Sequence, residues 1–146
     1  MIDKKWIGHE LGASELPVEH SRLRFFAKSI GEDDPVYTSR SAARAAGYPD
    51  LPAPPTFVFS AELDSGVIDR LLLLLGIPVA KLLHGEQSFS YRKTVCAGDC
   101  ITVNSRIEDI YDKKDGALEF VVKSSRATNQ AGELVAEMRT VLVCRH

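Results

Sequence analysis

Acidic side chains are concentrated in one short segment of the chain, Gly31–Tyr37. Three consecutive acids run from Glu32 to Asp34, and a proline and a valine separate them from Tyr37. Neighbouring carboxylates repel one another unless solvent, a helix N-terminus or a bound ligand offsets their charge. The segment is therefore predicted to be either a solvated turn, in which Asp34 caps the residues that follow, or part of a chemical site.

A proline-rich segment, Ala53–Phe57, offers a second chemical feature. Pro55 suits the first turn of a helix, where its missing N–H costs nothing. The backbone N–H groups that follow, from Thr56 onward, have no acceptor within such a helix and are able to bind an oxygen on which charge develops. The alternative is a helix N-terminus with a purely structural role.

A histidine in the second half of the chain, His84, lies in the segment Leu83–Gln87 beside Gly85. An imidazole holds or releases a proton near neutral pH, so His84 is a candidate base. Gly85 permits a close backbone approach because it has no Cβ. The alternative is that His84 and Gln87 hydrogen-bond the loop that enters a strand.

The composition is that of an ordinary globular domain: 146 residues, of which 45% are hydrophobic and 26% charged, with a net charge of −2. We expect one domain, residues 1–146, with a sizeable core. A net charge of −2 does not indicate the basic surface that typically binds a nucleic acid. The N-terminus lacks the apolar stretch of a signal peptide, and the longest apolar run, Leu71–Leu75, is too short to span a bilayer. We therefore expect a cytoplasmic protein with neither a nucleic-acid partner nor a membrane span.

Three cysteines, Cys96, Cys100 and Cys144, give an odd count and no Cys-x-x-Cys spacing. No cluster of histidines lies near them in the sequence. Reduced cytoplasmic thiols are therefore favoured over disulfides and over a zinc site. We expect neither a metal nor a cofactor.

The first half of the chain is predicted to be helical and rich in loops. Apolar residues at helical spacing predict a helix over Ser21–Ile30, with Ser21 as its N-cap and Gly31 after its end. A second, shorter helix is predicted over Ser39–Ala46, with Ser39 as its N-cap.

A third helix is predicted over about Pro55–Asp64. It is apolar on most sides, which is typical of a buried helix. Its strong polar groups are Glu62 and Asp64, near its end. A further helical stretch is predicted over Val67–Leu75, where a glycine and a proline follow.

From His84 onward the sequence alternates between apolar and polar residues and predicts four antiparallel strands in a row, a meander. The strands are expected at about 84–93, 100–111, 118–122 and 134–143, with turns at 97–99, 113–116 and 129–132. A sheet with one apolar face needs a helix packed against it. The sequence therefore predicts an α+β domain in which the sheet wraps around the long central helix.

That architecture is the hot-dog fold, and the sequence also resembles a hot-dog family, the MaoC-like hydratases and dehydratases of acyl thioesters. It is most similar to the branch that includes the N-terminal half of fungal-type fatty-acid-synthase dehydratases and the mycobacterial hydroxyacyl-ACP dehydratase subunits. The resemblance covers nearly the whole chain and rests on the order and spacing of short motifs. These are Gly31–Tyr37, Ala43–Tyr48, Ala53–Phe57, Leu83–Gln87 with Phe89 and Tyr91, and Ala97–Asp99.

In catalytically complete members, the segment corresponding to Gly31–Tyr37 reads Gly-Asp-x-Asn-Pro-aliphatic-His. The resemblance implies that this aspartate and histidine bind the water that adds across a 2-enoyl thioester, and that one of them moves the α-proton. It also implies that a backbone N–H at the start of the central helix receives the thioester oxygen. Substrate contacts are accordingly expected from Tyr48, Pro55, Thr56, Phe57, Gly85 and Gln87.

This chain departs from that pattern at both dyad positions. Glu32 replaces the aspartate, Tyr37 replaces the histidine, and Asp34 replaces the asparagine between them. A phenol with a pKa of about 10 is a poor base at neutral pH, and nearby acids make it harder to ionise. The additional methylene of glutamate displaces the carboxylate by about 1 Å, which costs roughly a hundredfold in rate in comparable cases.

The favoured hypothesis is a subunit of an (R)-3-hydroxyacyl-thioester dehydratase or hydratase that depends on a complete MaoC-type partner. The resemblance implies an acyl-CoA or acyl-ACP thioester as its ligand, and a homodimer or a heterodimer with a catalytic MaoC-like subunit. Three alternatives stay open. They are a self-sufficient hydro-lyase that uses Glu32, Asp34 or His84, a binding or assembly module without chemistry, and a thioesterase that uses Glu62 or Asp64.

Overall fold

The computed structural model describes residues Met1–Arg145, which form an antiparallel sheet with helices packed against it. The strands are β1 Glu10–Pro17, β2 Leu82–Tyr91, β3 Cys100–Lys113, β4 Leu118–Thr128 and β5 Leu134–Arg145. The α-helices are α1 His20–Ser29, α2 Arg40–Ala45, α3 Ser60–Asp64 and α4 Val67–Leu75. Short 3-10 helices cover Lys4–Trp6, Pro35–Tyr37, Pro55–Phe59 and Val79–Lys81. No helix within these residues is long and apolar enough to cross a membrane.

The strands lie in the order β1-β3-β4-β5-β2, and each is antiparallel to its neighbours. The predicted meander is right for β3, β4 and β5 but wrong for β2, which pairs with β5 at an edge of the sheet. The prediction also missed β1, which pairs with β3. Gly12 has a φ of +87° where the register of β1 shifts between Glu10 and Ala13. This bulge interrupts the alternation by which a strand is recognised in a sequence.

The central helix is less regular than predicted. Pro55 does begin it, but the first turns, Pro55–Phe59, are 3-10, and only α3 is α-helical. Gly66 then adopts a left-handed conformation, with a φ of +67°, before α4 begins. The break between the two helices predicted over Pro55–Asp64 and Val67–Leu75 is therefore present, and the structure differs from the prediction in the tight 3-10 geometry of the turns after the prolines.

The two N-terminal helices lie close to their predicted positions. α1 begins at His20, and Ser21 is not its N-cap; Glu19 holds that position without a side-chain hydrogen bond. Ser39 caps α2 as predicted, because its hydroxyl accepts the Ala42 N–H at 3.3 Å.

Buried polar side chains form a layer across the middle of the molecule, which we call the polar belt. It consists of Ser14 on β1, Ser105 on β3, Lys123 and Ser125 on β4, Thr140 on β5 and Glu62 on α3. The belt divides the apolar core into two clusters; we call the one that contains Val103 the first cluster and the one that contains Ile107 the second cluster. The strands β3, β4 and β5 pass from the first cluster through the belt into the second. The order is Val103, Ser105, Ile107 along β3; Ala127, Ser125, Lys123, Val121 along β4; and Met138, Thr140, Leu142 along β5.

The centre of the polar belt is an ion pair between Glu62 and Lys123, whose side chains are fully buried. Lys123 Nζ donates to both carboxylate oxygens at 2.6 Å and to Ser125 Oγ at 3.0 Å. The hydroxyls of Ser105, at 2.9 Å, and of Ser125 donate to Glu62 Oε1. Burial lowers the pKa of Lys123, and the facing carboxylate opposes that shift. The charges are tolerated in the core because all three ammonium hydrogens and the carboxylate are hydrogen-bonded.

A second group of charged contacts holds the segment that leads into the central helix. Asp50 accepts the Leu51 N–H at 2.7 Å, and its two oxygens lie 2.8 Å from His20 Nε2 and 3.0 Å from Arg40 Nη2. These hydrogen bonds, that of the Leu51 N–H foremost, lower the pKa of Asp50 to about 2. One carboxylate thus joins the first residues of α1 and α2 to the approach to Pro55.

Removal of one partner from the buried pair should be far more harmful than removal of both. Lys123→Met leaves the Glu62 carboxylate buried without its cation, so we expect the free energy of unfolding to fall by about 3 kcal/mol or more. Glu62→Met/Lys123→Met removes both charges and should recover most of that loss. Urea denaturation at neutral pH measures both effects.

Ser14→Ala is the matched control, because the Ser14 hydroxyl is buried in the same belt yet has no hydrogen-bond partner among residues 1–145. The stability of Ser14→Ala should equal or exceed that of the wild type, because the lost hydroxyl makes no hydrogen bond. A double variant no more stable than Lys123→Met would contradict this description of the pair.

The contribution of Asp50 to stability should depend on pH. Folding lowers the pKa of this carboxyl, so its ionised form stabilises the folded state at neutral pH. That stabilisation should disappear as the pH falls from about 4, the ordinary aspartate value, to about 2, the value in the folded protein. Asp50→Asn should therefore lower the melting temperature at neutral pH, and the difference from the wild type should vanish over that window.

Thermal melts followed by circular dichroism across the acidic range measure this convergence. Asp115→Asn, in the exposed turn between β3 and β4, is the control, and it should melt with the wild type at every pH. A difference between Asp50→Asn and the wild type that stays constant down to the lowest pH would show that the charge of Asp50 does not stabilise the fold.

Candidate functional site

A cavity of about 340 Å³ opens beside Pro55, the first residue of the helical layer. Three tyrosines, Tyr37, Tyr48 and Tyr91, lie in its wall, and we therefore call it the tyrosine cavity. They come from distant parts of the sequence. Tyr37 belongs to the acidic segment, Tyr48 to the loop after α2, and Tyr91 to the end of β2. The fold thus brings two of the predicted site residues, Tyr37 and Tyr48, to the predicted helix start.

Apolar side chains form the rest of the cavity wall next to the core. Val58, Val95 and Val135 line the cavity and also belong to the first apolar cluster. The cavity therefore offers an apolar surface on its inner side and phenol groups elsewhere in its wall. Such a mixture suits a ligand with an alkyl part and a few polar groups.

Backbone hydrogen bonds fix the proline-rich side of the cavity. The Ala53 N–H donates to the Val95 carbonyl at 2.7 Å, and the Ala97 N–H donates to the Leu51 carbonyl at 2.8 Å. These bonds join the segment before the helical layer to the loop after β2. The first turn of the layer is thereby held in a fixed position relative to the sheet.

Two basic residues in the wall, Arg92 and Lys93, are paired with acids. Arg92 Nη2 lies 3.1 Å from Glu137 Oε2, and Lys93 forms an ion pair with Glu133. The backbone N–H groups of both basic residues donate to the carbonyl of Val135. The sequence alone does not indicate that these two residues line a site, because their position depends on the pairing of β2 with β5, which was not predicted.

The acidic segment uses its carboxylates to hold its own backbone. Glu32 Oε1 accepts the Asp34 N–H at 3.0 Å, and Asp34 Oδ1 accepts the Val36 N–H at 2.9 Å. The predicted capping role of Asp34 is confirmed, since it precedes the 3-10 helix Pro35–Tyr37. Neither Glu32 nor Asp34 lines the tyrosine cavity.

Tyr37 is the residue of the acidic segment that reaches the cavity. Burial raises the pKa of its phenol, and the nearby Glu32, Tyr48 and Asp34 raise it further. Burial likewise raises the pKa of Tyr91. At neutral pH Tyr37 therefore keeps its proton, so it is able to donate a hydrogen bond but not to act as a base.

The residues predicted around Pro55 are divided between surface and core. Thr56 is exposed at the first turn, where backbone N–H groups have no acceptor within the helix. Phe57 is 1% exposed and packs edge-on against Phe26, with the ring centroids 5.4 Å apart. Phe57 is a core residue, and the geometry gives it no direct path to a ligand in the tyrosine cavity.

The candidate base His84 lies outside the lining of the tyrosine cavity. Its Nε2 is 3.2 Å from Gln87 Oε1, and its ring lies edge-on to Phe59. His84 and Gln87 are thus hydrogen-bonded to each other. Gly85 lies at a bulge of β2, where an added Cβ would be 2.8 Å from Val143 Cγ2, so the close approach predicted for this glycine is present.

The two carboxylates considered for a thioesterase are both engaged. Glu62 is enclosed in the polar belt, and Asp64 accepts a hydrogen bond from Arg22 at 2.6 Å. Neither residue lines the tyrosine cavity. The geometry therefore does not favour a thioesterase.

The cysteines are free thiols in the described part of the chain. Burial raises the pKa of Cys96 and of Cys144, which disfavours the reactive thiolate. Residues 1–145 contain no group of three or more His, Cys, Asp or Glu side chains that could hold a metal ion.

Comparison with known sequences places this geometry in a family. A family model described as "FAS1-like, dehydratase domain region" matches residues 5–138. A UPF0336 protein from Streptomyces avermitilis is 35% identical over 145 residues, which cover 99% of this chain and 95% of that protein. A UPF0336 protein from Streptomyces coelicolor is 39% identical over 130 residues, which cover 88% of this chain and 84% of that protein.

Solved structures agree. The C-terminally truncated HadBC (3R-hydroxyacyl-ACP dehydratase) complex from Mycobacterium tuberculosis matches with a TM-score of 0.75 and 30% identity, over 94% of this chain and 96% of that chain. A MaoC-like dehydratase matches with a TM-score of 0.84 and 21% identity, over 96% of this chain and 42% of that chain. The (R)-hydratase from A. caviae matches with a TM-score of 0.73 and 18% identity, over 93% of this chain and 94% of that chain.

The last two similarities concern the fold, and they confirm the predicted hot-dog fold. The match of the family model spans most of the chain and confirms the resemblance drawn from short motifs. The chain therefore has the fold of these MaoC-like and (R)-hydratase structures, and it belongs to the FAS1-like dehydratase region family.

Proposed function

We propose that this chain is one subunit of an (R)-3-hydroxyacyl-thioester dehydratase, or 2-enoyl-thioester hydratase, and that it depends on a catalytically complete MaoC-type partner. The observation that carries the proposal is the state of the two dyad positions. The Glu32 carboxylate accepts the backbone N–H of Asp34 at 3.0 Å, and Tyr37 presents a protonated phenol to the cavity.

The reaction explains why those two residue types are insufficient. Loss of water from a 3-hydroxyacyl thioester needs a base for the α-proton and an acid for the departing hydroxyl. Tyr37 holds its proton at neutral pH, and the carboxylate of Glu32 lies outside the cavity lining. In our proposal the dyad of the partner performs both proton transfers.

The contribution of this chain is a binding surface for an acyl-CoA or acyl-ACP thioester. In our proposal the backbone N–H of Thr56, which follows the cavity residue Pro55, receives the thioester oxygen. Tyr48 and Pro55 line the cavity for the adjacent part of the ligand. Gly85 and Gln87, from which substrate contacts were also expected, do not line the cavity, and Gln87 is hydrogen-bonded to His84 and Thr140.

The edge strand β2 is the surface that we propose for the partner. An edge strand presents unpaired backbone groups and is a ready template for another chain. β2 is 10 residues long, and its side chains Leu83 and Tyr91 are 43% and 47% exposed. The similarity to a chain of the HadBC complex supports a heterodimer. We further propose that residues 1–146 act as one domain in the cytoplasm.

An assay of enoyl-CoA hydration tests this function directly. This chain, a MaoC-like protein of the same cell that keeps the aspartate and histidine, and a mixture of both are compared by the loss of enoyl absorbance. We expect no turnover from this chain, and more turnover from the mixture than from the complete protein alone. The gain is expected because the second subunit completes the thioester site.

Leu83→Lys places a charge on the edge of β2 and should abolish that gain. Leu73→Lys is the matched control, since Leu73 is a leucine of α4 that is 85% exposed, and it should leave the gain unchanged. Turnover by this chain alone that Glu32→Gln or His84→Ala abolishes would contradict the proposal and indicate a self-sufficient hydro-lyase. Binding of acyl-CoA without any gain would indicate a binding module instead.

A further inference from the structure

The polar belt lies between the tyrosine cavity and the far half of the core. Val58 and Val135 belong both to the cavity wall and to the first apolar cluster. Leu71 and Leu142 belong to the second cluster, on the other side of the belt. A path that leads from the cavity between helix and sheet into the second cluster must therefore cross the belt.

The crossing point is close to the cavity. Val58 and Glu62 are both buried in the helical layer and are separated by about one helical turn, or roughly 6 Å. From the sheet side, Lys123 reaches the same carboxylate at 2.6 Å. An alkyl chain that passes Val58 thus meets the Glu62–Lys123 pair after only a few methylenes.

The pair strongly resists such an intrusion. Each buried methylene raises the affinity of a ligand roughly fourfold. Separating a buried pair leaves each charge without its partner, at a cost of roughly a hundredfold or more. Ser105 and Ser125 add hydrogen bonds that the intruding chain would also break. No single methylene offsets that loss, and the two serines offer no apolar surface in exchange.

We infer that the Glu62–Lys123 pair determines acyl-chain length in this subunit, limiting the alkyl group that its own core accepts to a short one. The inference rests on the proposed function, since it takes an acyl thioester as the ligand of the tyrosine cavity. It assigns specificity to two residues that touch no reacting atom, that lie behind the apolar wall of the cavity, and that stop an alkyl chain which passes Val58.

Equilibrium binding of saturated acyl-CoAs tests the stop. Isothermal titration of the wild-type chain with butyryl-, hexanoyl-, octanoyl- and lauroyl-CoA should give an affinity that rises with length and then stays constant. Glu62→Ala/Lys123→Ala removes the pair and leaves space, so the rise should continue to longer acyl groups, roughly fourfold for each further methylene. If circular dichroism shows that this variant is unfolded, Glu62→Met/Lys123→Met replaces it; its side chains are apolar and flexible enough to yield, and the same extension is expected.

Leu71→Ala is the matched control, because it opens a comparable apolar space beyond an intact belt. Its limit should be that of the wild type. A wild-type affinity that keeps rising to lauroyl-CoA, or the same limit in the belt variants, would overturn the inference and leave the proposed function standing. Failure of every acyl-CoA to bind, both to this chain alone and to its mixture with the complete partner, would overturn both.

Discussion

The ion pair between Glu62 and Lys123 joins the short helix at the centre of this molecule to the middle of its sheet. A helix of five residues, such as α3, has little stability of its own and depends on tertiary contacts. The pair supplies a directional contact, with 2.6 Å hydrogen bonds that an apolar surface would not give. Because α3 continues the turns that begin at Pro55, fixing α3 also fixes the first turn beside the tyrosine cavity. The buried charges and the site are thus parts of one arrangement.

The acidic segment reaches the tyrosine cavity through one residue only. Tyr37 reaches the cavity at the start of the helical layer, next to Tyr48. The carboxylates of Glu32 and Asp34, however, are hydrogen-bonded within the segment, since each accepts one of its backbone N–H groups. What remains is a site with hydrogen-bond donors and an apolar inner wall, and without a base among the described residues that line it. In our proposal, such a site binds a thioester and leaves proton transfer to the partner chain.

The sequence predicted those features that depend on local patterns. Ser39 as a cap, Pro55 at a helix start and the strands β3 to β5 follow from capping, a fixed φ and alternation. The failures have physical causes as well. A bulge at Gly12 hides β1, and the turns that follow Pro55 are 3-10 where the sequence predicts a regular α-helix. Lys123 is the clearest case, because a lysine within a strand is normally taken as solvent-exposed, and only the facing Glu62 makes its burial possible. The cavity wall at Arg92 and Lys93 likewise depended on long-range strand pairing.

In the proposed enzyme, the acidic segment of this chain helps to bind and position the ligand but moves no proton. The most direct measurement is kcat of the assembled two-subunit enzyme when this chain carries Glu32→Gln/Tyr37→Phe, two substitutions that keep size and remove the ionisable groups. We expect kcat to be unchanged and any effect of the two substitutions to be confined to KM. A general acid or base contributes on the order of a hundredfold or more to the rate, so a fall in kcat of that size would contradict the account.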